Sequence, residues 1–261
     1  EEKREEIVPF ISRYANSQNK VSEVDLTANN PFLQKIEELS QRIYALDPFD
    51  RNKQTLWFFE RVKGQYKEAL NREPTKSKKN AFKNKFPKNQ RITKSELAKY
   101  MNVWNMEPYT VSKGSQKNYM SFMKKIQQNN KRLEPNKIYF EDLVANAILF
   151  RTTDKLFGSK RSGDNIGDTS IKSFTVNYTL SYFHYITEQK LNLGKIWELQ
   201  NIPDSLQKEL LKLMYFVYNF LVSESYSLVS EFAKKQSTWD KLKEKEDKII
   251  DKKIVKPFLH T

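Results

Sequence analysis

Apolar residues recur at intervals of three and four along most of this chain, and little interrupts them. That spacing stacks side chains on one face of an α-helix. Only 6 glycines and 9 prolines punctuate the 261 residues, and long alternating runs of the β type are scarce. The pattern predicts a mainly α fold: an irregular multi-helix bundle with at most a minor β element. Phe32, Leu33, Ile36, Leu39 and Ile43 form one stripe behind Asn30-Pro31, where proline suits a first helical turn. Gln54 to Asn71 reads as a second helix, or as a short strand at its start. Thr93-Lys94-Ser95-Glu96 is a capping box opening a helix that runs to about Asn105. Helical stripes continue over Ser115 to Lys131, Phe140 to Phe157 and Ile171 to Gln189. Ser205 to Ser225 is the most apolar segment and is expected to be a central core helix. Val229 to Lys256 reads as a charged terminal helix with sparse apolar positions at Phe232, Trp239, Leu242 and Ile249.

Two divisions of this bundle are open. Pro135 and Asn136 interrupt the helical pattern, so a weak boundary separates an N-terminal helical part, 1–134, from a C-terminal part, 135–261. A single domain of this length is equally compatible. Hydrophobic content is 38%, but 17 Phe and 13 Tyr each bury large areas, so a sizeable core is expected. Trp57, Trp104, Trp197 and Trp239, with Tyr178, Tyr182 and Tyr185, read as core material. In a purely structural role, the aromatic helices would form a homo-oligomer interface. There is no cysteine, which excludes disulfides and thiolate metal sites and fits a reducing, cytoplasmic setting. No run of about 18 apolar residues exists, so no membrane span is expected.

Charge points to a polyanion. Lys and Arg number 46 against 32 acids, a net charge of +14, which favours DNA or RNA as partner. The excess is mostly lysine in a chain also rich in Asn and Ile, a bias that AT-rich coding produces without selection for binding. Lysine is also the weaker choice for bidentate recognition. The sharpest concentration is Arg72 to Lys94. It holds Arg72, Lys76, Lys78, Lys79, Lys83, Lys85, Lys88, Arg91 and Lys94 against the single acid Glu73, with Phe82 and Phe86 interleaved. Two readings stand side by side. The lysines neutralise phosphates while a phenylalanine stacks on an unpaired base, or the segment is a solvated linker pinned by its two rings. With four to six phosphate contacts, log affinity would fall with log salt at a slope of roughly −4 to −5. Gly158 to Asp168 reads as an exposed loop carrying Lys160 and Arg161, a second candidate contact.

Catalytic chemistry is not recognisable. The histidines are His184 and His260, and no HExxH spacing occurs. His184 reads as a packed histidine of the aromatic helix, and His260 as a frayed terminal residue. Acid-x-Lys strings at Glu188-Gln189-Lys190, Glu246-Asp247-Lys248 and Asp251-Lys252-Lys253 read as helix surface pairs with no second acid to hold a metal. No metal site, cofactor or catalytic residue is assigned.

One ordered set of short strings carries a resemblance. Tyr14-Ala15-Asn16-Ser17-Gln18-Asn19-Lys20-Val21 is followed by Asp25 to Phe32 and Ile36-Glu37-Glu38-Leu39-Ser40. Then come Leu56-Trp57-Phe58-Phe59-Glu60-Arg61, Gly64-Gln65-Tyr66, Phe86-Pro87-Lys88, Arg91-Ile92-Thr93-Lys94 and Leu97-Ala98-Lys99-Tyr100. Pro108, Val111 to Gly114, Asn118-Tyr119, Ile196-Trp197 with Gln200, and Glu231 to Lys235 with Trp239 complete it. In this order and spacing the chain resembles the abortive-infection phage-resistance family, AIPR, from about Ile7 to Trp239. Asn16, Gln18, Asn19, Lys20, Trp57, Glu60 and Arg61 are the most identifying positions. Phe232 stands where the resemblance leads one to expect Trp, and Ser237-Thr238 where a Cys is common. The resemblance implies a bacterial anti-phage or restriction-associated protein, typically longer than this chain. It implies an upstream half, in some members nuclease-like, that would complete an active site. This chain is then a C-terminal recognition or regulatory portion, with Asn16, Gln18, Asn19 and Lys20 bonding a junction to that half. Read locally, the same cluster is a helix cap followed by Asx turns.

Overall fold

In a computed structural model, residues 30–128, 134–158, 169–226, 228–245 and 249–260 are described. The expected first helix is α1 (Pro31–Ser40), with Pro31 in its first turn and the Asn30 side chain accepting from the Phe32 amide at 2.9 Å. Three short strands follow: β1 (Tyr44–Leu46), β2 (Gln54–Leu56) and β3 (Phe58–Glu60). Of the two readings of Gln54 to Asn71, the strand at its start holds, as β2 and β3, and only its second half is helical, as α2 (Gln65–Arg72). Thr55 to Glu60 are buried in sequence, a continuity that suits strands covered on both faces rather than a one-sided helix. β1 pairs antiparallel with β2, whereas β3 pairs in parallel with β4 (Arg91–Thr93). A parallel pair needs a crossover. It is built from α2 and α3 (Lys76–Lys85), so the basic segment is the connection between two paired strands.

α4 (Lys94–Trp104) then starts on the capping box. Thr93 Oγ1 accepts from the Glu96 amide at 3.2 Å, and Glu96 accepts from the Thr93 amide at 2.9 Å. α5 (Pro108–Val111) and α6 (Ser115–Gln128) pack back onto α4. Two central helices follow, α7 (Lys137–Leu156) and α8 (Lys172–Ile186). Residues 143–150 of α7 and 175–184 of α8 are buried without interruption. α9 (Leu193–Leu199) packs on α7, and α10 (Asp204–Ser223) packs on α7 and α8. The centre of the core is thus α7 and α8. α10, expected there, buries one stripe (Leu206, Leu210, Leu213, Met214, Val217, Leu221) and leaves the other face to solvent. Its apolar content is high, but it is arranged amphipathically. One apolar cluster extends from Phe32 to Phe258.

The single terminal helix is also corrected. It is broken into α11 (Val229–Phe232), α12 (Gln236–Lys243) and α13 (Lys252–Val255). Tyr178 donates its hydroxyl to the Ala233 carbonyl at 2.9 Å, and Thr238 donates to the Phe232 carbonyl at 2.6 Å. Those bonds satisfy carbonyls that a continuous helix would have used. The break turns Trp239 inward, where its ring meets those of Tyr178, Tyr182 and Tyr185 at 6.0–6.5 Å. His260 is not frayed: its amide donates to Lys190 at 2.7 Å beside a bridge between Leu191 and Leu259. Glu188-Gln189-Lys190 is a turn, with Glu188 and Gln189 in the left-handed region, and not a helix surface. Among the described residues, no helix is long and apolar enough to cross a membrane.

Candidate nucleic-acid interface

The basic crossover is an ordered element. α3 carries Lys76, Lys78, Lys79, Lys83 and Lys85 and no acid, and Thr75 caps it by accepting from the Lys78 amide at 3.2 Å. Phe82 and Phe86 are four residues apart, hence on one face. That face packs on a satellite cluster formed by Leu56, Phe58, Tyr66 and Phe86. Phe58 meets Tyr66, Phe82 and Phe86 edge-on at 5.2–6.3 Å, and Tyr66 donates its hydroxyl to the Phe86 carbonyl at 2.8 Å. The two rings pin the segment, as the linker reading held, but what they pin is a capped helix and not a linker.

The lysines flank this packed stripe. Lys76 and Lys83 are two turns apart on one side, about 10.5 Å along the axis, as are Lys78 and Lys85 on the other. Lys76, Lys78, Lys83 and Lys85 are exposed and Lys79 is half-buried. None of the five forms an ion pair among the described residues, whereas lysines elsewhere repeatedly do: Lys35–Glu38, Lys53–Asp50, Lys172–Asp154, Lys212–Glu209 and Lys245–Glu224 lie at 2.6–3.1 Å. Between α2 and α3 lies an open groove of about 560 Å³. Phe58, Phe82 and Phe86 form its apolar part, Lys78 and Lys85 stand at it, and Glu73 is its one carboxylate.

The other sequence candidates fall in three groups. Arg72 and Lys88 are exposed beside this helix. Arg91 and Lys94 are engaged inside the protein. Arg91 pairs with Glu60 at 3.4 Å and covers the Tyr66 ring, while Lys94 is buried over the Tyr119 ring. Lys160 and Arg161, like Asn16, Gln18, Asn19 and Lys20, lie outside the described residues.

The identifying strings at Trp57, Glu60 and Arg61 form a hydrogen-bonded clamp. Trp57 Nε1 donates to Gln200 Oε1 at 2.9 Å. Glu60, buried, accepts from the Gly64 amide at 2.9 Å, and Gly64 has φ 89°, a conformation suited to glycine. Arg61 Nε donates to Glu37 at 2.6 Å, and Gln65 donates to the same carboxylate while accepting from the amides of Arg61 and Val62 at 3.1 Å. These residues join α1, β3 and α2, and so set where the crossover begins.

Two cations to which the sequence assigned no role join the same region. Arg151, on the buried helix α7, donates to the carbonyls of Asn89 and Arg91, to the Tyr100 hydroxyl at 3.1 Å and to Glu96 at 3.0 Å. It fixes the far end of the crossover. Its signal was local: one arginine following the apolar run Ala147-Ile148-Leu149-Phe150. Burial works to raise the Glu96 carboxyl, but Arg151 and the bonds from Thr93 outweigh it and hold it below the usual range. Lys99 is the other; burial lowers its ammonium below the usual lysine value. His184 is packed as expected, 4.1 Å from Trp104 ring to ring, and burial lowers it to about 3. Among the described residues, no three His, Cys, Asp or Glu are grouped to hold a metal ion.

A family model described as AIPR protein matches residues 1–225. No curated protein and no solved structure gives a significant match. The match takes in both paired strands, the crossover with its lysines and the clamp around Trp57. Matched over well more than half of its length, the chain belongs to the AIPR family.

Proposed function

We propose that this chain serves a phage-defence protein as a recognition or regulatory part that contacts nucleic acid through α3 and the groove beside it. Membership of the AIPR family suggests the phage-defence role. The contact rests on one observation: the five lysines of α3 have no carboxylate partner among the described residues, on a helix anchored by aromatic packing. A row of unpaired ammonium groups on a fixed helix displaces condensed counterions from a phosphate backbone at little ordering cost. Phe82, half-buried at the groove above the packed rings of Phe58 and Phe86, gives it an apolar surface for an unpaired base, which favours single strands over duplex.

The test is fluorescence anisotropy with labelled single-stranded and duplex oligonucleotides, DNA and RNA, on the 261-residue chain. Replacing Lys76, Lys79 and Lys83 together by alanine is expected to weaken binding of every sequence by a similar factor. The salt slope should also fall by about 2 to 3. Equal affinity of the triple variant and the parent would overturn the proposal.

A further inference from the structure

A second cleft, of about 580 Å³, opens between Lys88–Arg91, α4 and the end of α7. Most of its charges are already satisfied. Arg151 pairs with Glu96 at 3.0 Å, Arg91 with Glu60 at 3.4 Å and Asp154 with Lys172 at 3.0 Å. Three lysines at the cleft are left over: Lys88, Lys99 and Lys155 have no ion pair or hydrogen bond among the described residues. Lys99 is the informative one. Its ammonium lies 4.5 Å from the Phe150 ring centroid, partly withdrawn from water; Asp154 and Glu96 act on it through space, but among the described residues no oxygen accepts its protons. Burying a cation without an acceptor is unfavourable unless an anion completes the site. Gln90 lines the same cleft, is 5% exposed, and its Oε1 has no hydrogen-bond partner among the described residues. At the mouth stands Phe49, 95% exposed, on a turn fixed by Asp47, which accepts from the amides of Phe49 at 2.8 Å and Asp50 at 3.1 Å. An apolar ring held in water beside a cationic cleft is a stacking surface without its partner.

We propose that this cleft binds a nucleotide, with its phosphate on Lys99, Lys88 and Lys155, its base against Phe49, and its polar edge toward Gln90. The volume falls within the range of sites for ligands of that size. Desolvation of Lys99 strengthens this reading, because an arriving phosphate restores the charge balance that burial disfavours. The site stands apart from the α3 groove and does not depend on it.

Isothermal titration with nucleoside mono- and triphosphates, inorganic phosphate, and 5′-phosphorylated and 5′-hydroxyl oligonucleotides tests it. Saturable binding is expected. Lys99→Met should weaken it by roughly tenfold, as should Lys155→Ala, whose exposed site leaves the fold intact. Phe49→Ala should weaken nucleotides several-fold and inorganic phosphate hardly at all. Lys208→Ala, exposed on α10 and in neither groove, should leave free nucleotide binding unchanged. A free nucleotide binding tighter than the phosphorylated oligonucleotide identifies a small-molecule ligand. The reverse order, lost with a 5′-hydroxyl, identifies a strand end, and either outcome supports the site. No saturable binding, affinities unaltered in both lysine variants, or inorganic phosphate binding as tightly as nucleotides would overturn it.

Discussion

Gln200 has φ 51°, in the left-handed region where a side chain is uncommon. From there its carboxamide accepts from Trp57 Nε1 at 2.9 Å and donates to the Trp197 carbonyl at 2.6 Å. Replacing it by leucine leaves a buried indole N–H unpaired. Gln200→Leu is therefore expected to cost about 1–3 kcal/mol, read by urea denaturation. His184 gives a second residue-scale test, because its ring is buried against Trp104 and its Nδ1 lacks a partner. The unfolded chain binds a proton near pH 6.5 that the folded chain refuses until about pH 3. Stability should fall with pH through that window, by about 2 kcal/mol between pH 7.5 and pH 5. Burial and Glu141 raise Asp142 to about 6, which acts in the opposite sense over part of the range. The informative quantity is thus the difference between the parent and His184→Met, in which the histidine contribution disappears.

At the scale of elements, α3 is a short lysine-rich helix that owes its position to two phenylalanines. Phe86→Ala removes a buried ring from a small satellite cluster, a loss of about 3–5 kcal/mol if nothing relaxes. The expected outcome is local. Amide exchange should speed up over Lys76–Lys85, while α7 and α8 keep their protection, because their core cluster is separate. The legibility of the elements follows the range of the interactions that make them. The Thr93–Glu96 capping box and the Asn30–Pro31 start could be read because both are complete within four residues. β3 and β4 could not: each has three residues, too few to show a period, and its partner lies across the crossover. The break after α11 was hidden for the same reason, since Tyr178, whose hydroxyl holds the Ala233 carbonyl, is 55 residues away. The lysines of α3 were visible in the sequence, but their flanking of a packed aromatic stripe was not. Arg151 and Lys99 were given no role because a lone cation in a helix gains meaning only from what packs around it.

For the whole molecule, the charge excess of +14 matters through its distribution. Ion pairs absorb many lysines elsewhere, while among the described residues the lysines of the crossover helix and three more at the Arg151 cleft form none. The clamp around Trp57, Glu60 and Arg61 and the hub at Arg151 hold the two ends of that crossover to the main core. The fold thus presents α3 as a cationic rib held at both ends, and in the proposed function this rib meets phosphates. The most direct measurement is the affinity of the 261-residue chain for a single-stranded oligonucleotide between low and moderate salt. With four to six phosphates contacted, log affinity against log salt should follow a slope of roughly −3 to −4, shallower than the −4 to −5 of a duplex because a single strand condenses fewer counterions per phosphate. Replacing Lys76, Lys79 and Lys83 should flatten that slope. A slope near zero, or one that the three replacements leave unchanged, would contradict it.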